Sequence, residues 1–187
     1  MTILMKFLLP LMISTILLFL AEKKSILIKG KKINKFIVII ALIIPMIVAS
    51  SRLIIDVGDS KLYGKTIFDY ALNNNWINYY DYFHNNYFSF ESGFLLLTFI
   101  ISKFTSNYHI LFFIFSLINI ILIYDGLNKL KPYMKFSNWN AMLVFYLLFF
   151  GETLNIVRQS LAIAIVFWGL HYVFEKKPFK FLVTVLI

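Results

Sequence analysis

A polytopic, all-α bundle of transmembrane helices is the fold class this sequence predicts, and three observations predict it. Hydrophobic residues make up 60% of the chain and charged residues 14%, against roughly 45–50% and about 25% in soluble domains. The apolar residues gather into long runs, and the mean hydropathy is +0.81. The basic residues are bunched between those runs: 12 of the 18 Lys and Arg fall in three clusters. These are Lys23, Lys24, Lys29, Lys31, Lys32 and Lys35; then Lys129, Lys131 and Lys135; then Lys176, Lys177 and Lys180. Runs of this length set off by Lys-rich loops point to about five to seven membrane segments.

The formal net charge of +9 would suggest nucleic acid in a soluble chain. Here its clustering fits cytoplasmic loops, so no nucleic-acid partner is expected. The chain has no cysteine, which excludes disulfides, thiolate catalysis and Cys-ligated zinc. No linker-like tract divides residues 1–187, and they read as a single integral membrane domain.

The first span falls near 3–21. A cleaved signal peptide is the competing reading, but the strongest positive cluster follows the run and no A-x-A-like site precedes the break. That polarity puts the N-terminus outside. The second span, 36–51, carries Pro45, which should kink it and free a carbonyl for a neighbour to satisfy.

Residues 52–90 form an outer polar loop. They hold Arg52, Asp56, Asp59, Asp69, Asp81 and His84 among Tyr63, Tyr70, Trp76, Tyr79, Tyr80, Tyr82 and Tyr87. Two readings fit this composition: an aromatic belt at the membrane interface, or a sugar-binding surface of ring faces and carboxylates. Further segments follow at 91–104, 108–124, 139–154 and 155–174. Another starts at 179–187, where the sequence ends partway through a helix and reads as truncated.

Parity constrains 91–104. If it and 108–124 both cross, the second and third Lys clusters fall outside. If only one crosses, all three fall inside, so 91–104 is predicted to be re-entrant or interfacial. The stretch GETLNIVRQ (151–159) then lies at the outer face, on the side of the acidic, aromatic loop.

That stretch poses the chemical question. Asn155, Arg158, Gln159 and Ala162 are spaced i, i+3, i+4, i+7, which puts them on one face of a continuous helix. An arginine at a span's centre costs about 2.5–3.5 kcal/mol on insertion scales, so it faces a cavity, the bundle interior or an acid. A snorkelling anchor is the structural alternative, but an anchor needs neither Asn155 nor Gln159. A guanidinium fork matches phosphate oxygens, and the two amides beside it suit sugar hydroxyls. Glu91 is the best-placed acid for pairing with Arg158 or for proton transfer. Its alternative role is a solvated carboxylate at a helix N-terminus. Asp59 and Asp56 are weaker candidates, and Glu152 can neutralise Arg158 from one turn away. Arg52 and Tyr63 are read as further substrate contacts. His84, His109 and His171 lack metal-ligand spacing, and no nucleotide-binding motif occurs, so neither metal nor cofactor is expected.

NIVRQSLAIAI (155–165), followed by HYVFEKKPFKFL (171–182), resembles the EpsG-like family of bacterial exopolysaccharide polymerases, which are related to Wzy-type polymerases. FESGFLLL (90–97) is similar to the family's F-E-x-G-F element. VGDSKLY (57–63) is similar to its G-x-D-x-x-x-Y element. The resemblance covers most of 35–187. Val157 stands where the family often has Ile, and the family pattern continues with further spans and a His-containing segment.

The resemblance implies a polytopic protein of the cytoplasmic membrane that transfers lipid-diphosphate-linked oligosaccharide repeats onto a growing glycan at the outer face. It implies an undecaprenyl diphosphate donor, Arg158 stabilising the departing diphosphate, and Glu91 or Asp59 as general base. Expected partners are that donor, membrane lipids, and other polysaccharide-export or chain-length proteins. Two alternatives stand beside it: a transporter or flippase of the same lipid-linked sugar, and an inactive, truncated membrane protein whose polar stripe only joins helices.

Overall fold

A computed structural model describes residues 3–27, 31–51, 61–85 and 90–186, and among these every regular element is helical. Helix α1 (Ile3–Leu27) does not stop where the apolar run ends but continues through Glu22 and the following lysines. It packs on α2 (Lys31–Ser50). Pro45 has no N–H to offer the carbonyl four residues back, that of Ala41. The buried Ser14 hydroxyl on α1 donates to that carbonyl at 2.7 Å, with Tyr146 Oη 3.2 Å from Ser14 Oγ. The neighbouring helix therefore supplies the bond that the proline removes.

The polar region predicted to be a loop is helical where it is described, which corrects the sequence reading. A π-helical turn, Leu62–Ile67, runs into α3 (Phe68–Asn73). Asn75 caps α4 (Trp76–Tyr80), its side chain accepting from the Asn78 amide, and a second π-turn follows at Asp81–Asn85. The physical reason is aromatic spacing: Tyr63 and Ile67, and likewise Tyr79 and Phe83, lie one turn apart and bury a common face. Ile67, Phe68, Tyr79 and Phe83 are wholly enclosed. These rings pack on one another and on α5 (Ser92–Phe104), so most of them form a core and not an exposed platform. Lys103 ties the layer together by donating to the Ala71 and Asn74 carbonyls at 2.9 and 3.1 Å, at the negative end of α3.

Helix α6 (Tyr108–Leu130) is the central post. Then come α7 (Asn138–Leu148), α8 (Phe150–Asn155), α9 (Val157–Phe174) and α10 (Pro178–Val185). Cross-helix contacts fix their relative heights. His109 Nδ1 lies 2.5 Å from the Ser50 carbonyl, so the start of α6 sits beside the end of α2. Descending α6, Asn119 reaches the Ser160 carbonyl and Asp125 accepts from Trp168 Nε1, and in the turn just past its end Tyr133 stacks on Phe174. Thus α9 runs parallel to α6. At the lower end, Glu22 of α1 accepts from Lys131 and from the first amides of α7.

Helix α5 covers only the upper half of this post. Phe94 stacks on Phe115 with centroids 5.3 Å apart, and thirteen residues extend about 20 Å against a hydrocarbon core of about 30 Å.

Two helices, Tyr108–Leu130 and Val157–Phe174, are long and apolar enough to cross a membrane. Around them, Met12, Ile16 and Phe19 of α1 and Phe36, Ile39 and Ile47 of α2 are exposed. Close approach of α9 to its neighbours depends on glycine. A Cβ on Gly126 would lie 3.0 Å from the Phe167 ring, and one on Gly169 would lie 3.0 Å from Thr184 Cγ2.

Candidate functional site

The chain between α7 and α9 bends twice. Phe149 leaves the α7 spiral, and Ile156, at φ −99° and ψ 58°, separates α8 from α9. The single polar stripe expected over 155–162 is therefore broken. Asn155 ends α8, is exposed, and does not line the cavity that Arg158 faces. Arg158, Gln159 and Ala162 keep a common face on α9, and all three line that cavity.

The cavity holds about 500 Å³ and lies between α5, α6, α9 and α10. Its floor and walls are apolar, with Phe94, Leu97 and Ile118 among them. Two charges face each other across it: Arg158 Nη1 lies 3.1 Å from Glu91 Oε2. The guanidinium carbon also sits 4.8 Å from the centroid of the Phe90 ring, a cation–π contact. The Arg158 side chain is 28% exposed and that of Glu91 65%. Both charges thus open towards the cavity mouth, and the fork keeps N–H donors beyond the one that Glu91 takes. Ile118 lies ten residues down α6 from Tyr108, so the pair sits about 15 Å below the upper end of that helix. Arg158 is recessed into the bundle; the GETLNIVRQ turn is not at its rim.

Glu91 holds its position because the segment before it is anchored. Glu91 stands at the N-cap of α5 without capping it, so its carboxylate is left for Arg158. His84 Nδ1 is 2.9 Å from the Phe90 carbonyl, the Phe90 amide donates to the Phe83 carbonyl, and Tyr80 Oη lies 3.0 Å from Ser92 Oγ. Tyr80 and His84 also stack, with centroids 4.7 Å apart. His84, Tyr80 and Phe90 are positioning residues that the sequence reading left without a role. The i, i+4 spacing of Tyr80 and His84, just before FESGF, was the available signal.

The other candidates separate. Tyr63 is buried, its ring edge-on to Phe90 and Phe94 at 6.5 and 5.2 Å, so it backs the Phe90 wall instead of reaching the cavity. Glu152 does not pair with Arg158; it lines a separate, apolar cavity between α6, α7 and α9. Arg52, Asp56, Asp59 and Tyr87 lie outside the described residues. Among the described residues, no three His, Asp or Glu side chains converge as a metal site would require.

The sequence pattern that defines the EpsG family matches residues 66–187. The chain belongs to the EpsG family. No curated protein and no solved structure matches it. Glu91, Arg158 and Gln159 all lie within the EpsG match, as do Tyr80, His84 and Phe90, whereas Arg52, Asp59 and Tyr63 precede it.

Proposed function

We propose that this EpsG-family chain is a multi-pass protein of the bacterial cytoplasmic membrane that polymerises exopolysaccharide from lipid-diphosphate-linked repeats at the outer face. The Arg158–Glu91 pair, recessed in an open cavity, is the observation that carries this reading. The apolar faces of α1 and α2 support the membrane setting, since a soluble surface rarely exposes so much contiguous apolar area. The Lys-rich ends of α1 and α6 lie together at the lower end, which supports a cytoplasmic position for that end. The cavity then opens in the outer half, with α5 re-entrant beside it.

The chemistry follows from the pair. At rest, Glu91 partly neutralises Arg158. A diphosphate entering the cavity offers more charge and better bidentate geometry, and takes over the guanidinium. Glu91 is then released as an acceptor next to the reacting sugar. The acceptor hydroxyl oxygen forms a bond to the anomeric carbon of the donor as the bond from that carbon to the diphosphate breaks. The electron pair leaves with the diphosphate, where Arg158 stabilises it, and the hydroxyl proton passes to Glu91. Gln159 supplies an amide for sugar hydroxyls at the same wall. Asp59 is the alternative base and Arg52 a further phosphate contact.

The test is Arg158→Lys in cells, with surface glycan resolved by length and the lipid-linked pool measured in parallel. This reading expects loss of long chains and build-up of single repeats outside. Repeats stranded inside would instead indicate a flippase, and unchanged lengths would remove Arg158 from the chemistry.

A further inference from the structure

The opposite end of the bundle holds a second polar cavity, of about 450 Å³, between α1, α2, α6 and α7. Its acid is already committed. Glu22 accepts from Lys131 Nζ and from the backbone amides of Asn138 and Trp139, at 3.4 Å each, so it neutralises one lysine and caps α7. Asn138 Nδ2 donates to Asn128 Oδ1 at 2.5 Å.

The Tyr124 hydroxyl also lines this cavity, beside the Asn138 and Asn128 side chains, and two further groups remain. Among the described residues, Asn138 Oδ1 is buried without a hydrogen-bond partner, on a residue only 6% exposed. Lys35 lines the same cavity and forms no ion pair or hydrogen bond with a described residue. Buried acceptors are nearly always satisfied, and Lys35, whose side chain is exposed at the cavity, presents its charge where an anionic headgroup would approach. With the Glu22–Lys131 pair cancelled, the wall carries one net positive charge and one unmet acceptor.

We infer that this lower cavity binds an anionic phosphate ester that also carries hydroxyl donors, with its phosphate on Lys35 and a hydroxyl on Asn138 Oδ1. Phosphatidylglycerol in the cytoplasmic leaflet and free glycerol phosphate are the two sources of that chemistry. Basic pockets between helices on the cytoplasmic side suit lipid headgroups. The lipid source rests on the membrane reading above and not on the polymerase reading, and glycan length is not measured here. Failure of one proposal is therefore distinguishable from failure of the other.

The experiment is native mass spectrometry of the detergent-purified full chain, titrated with phosphatidylglycerol, phosphatidylcholine and phosphatidylmethanol. The last keeps the phosphodiester charge and lacks the hydroxyls. Phosphatidylglycerol is expected to bind about fivefold or more tighter than either comparison lipid, and Lys35→Met to remove that preference. Lys35→Arg should retain it. So should Lys23→Met, which lies on the same basic segment but outside the cavity. Competition by glycerol phosphate would support the chemistry and assign a soluble source; its absence, with lipid selectivity intact, assigns the lipid. Equal binding of phosphatidylglycerol and phosphatidylcholine would overturn the site. Equal losses in Lys35→Met and Lys23→Met would overturn it as well, because diffuse attraction would then account for everything.

Discussion

Arg158 Nη1 lies 3.1 Å from Glu91 Oε2, a contact between the first turn of α9 and the residue that opens α5. The pair is held from behind by Phe90, whose ring sits under the guanidinium and whose carbonyl is fixed by His84. Geometry of this kind resolves a cost that composition raises. An arginine recessed among apolar side chains is tolerated when an acid and an aromatic face share its charge, and it stays available when both open to a cavity.

Glu91→Gln keeps the shape of the side chain and removes its capacity to take a proton. Chain elongation is expected to fall by about 10²–10⁴-fold, the usual range for loss of a general base. Length-resolved glycan analysis checks this, with protein level in the membrane as the control. Near-normal elongation would transfer the base role to Asp59.

Ser14 and Pro45 make a pair whose coupling is measurable. Ser14→Ala leaves the buried Ala41 carbonyl without its donor, at an expected cost of about 1–3 kcal/mol. In a Pro45→Ala background the residue-45 amide is restored and can serve that carbonyl, so the same Ser14→Ala change should cost less. Thermal stability of the four purified proteins reads the cycle. Equal costs in both backgrounds would mean that Ser14 acts by packing alone.

Tyr79 gives a prediction in pH. Its ring is enclosed and, among the described residues, its hydroxyl makes no well-formed hydrogen bond. Burial raises the phenol above the ordinary value of 10.0, an effect a nearby Thr98 hydroxyl partly opposes. A raised folded value means that stability is fully present below about pH 10 and is lost as pH climbs through the folded value. Tyr79→Phe should therefore be neutral or stabilising at pH 7, and should flatten the alkaline side of the stability curve. A large loss at pH 7 would show that the hydroxyl has a partner after all.

Much of the helical layout was legible because apolar runs and Lys clusters are long-range composition signals. The cores of α1, α2, α6 and α9 lie within the predicted runs, and Glu91 was named as a partner for Arg158. Other features were not legible, for local reasons. The break at Ile156 is a backbone torsion at an ordinary β-branched residue, with no glycine or proline to announce it. The fold of 61–85 depends on short turns whose rings bury one another, which composition alone reads equally well as an interfacial belt. His84 acts through a single backbone bond to Phe90, which has no motif.

Reporter fusions test the orientation. Fusions after residues 133 and 177 should report the cytoplasm and one after residue 70 the outside, because α5 returns to the side it left. A fusion after 133 that reports the outside would make α5 a full crossing, and would place the lower Lys-rich end outside.

The most direct measurement follows bond formation itself. Membrane vesicles carrying the chain are supplied with labelled lipid-diphosphate-linked repeats, and free lipid diphosphate is counted against repeats added to glycan. The account predicts release of one lipid diphosphate per repeat, reduced by about 10²–10³-fold in Arg158→Lys, where a preorganised fork becomes a point charge. Undiminished release in Arg158→Lys, with the protein folded and inserted, would contradict it.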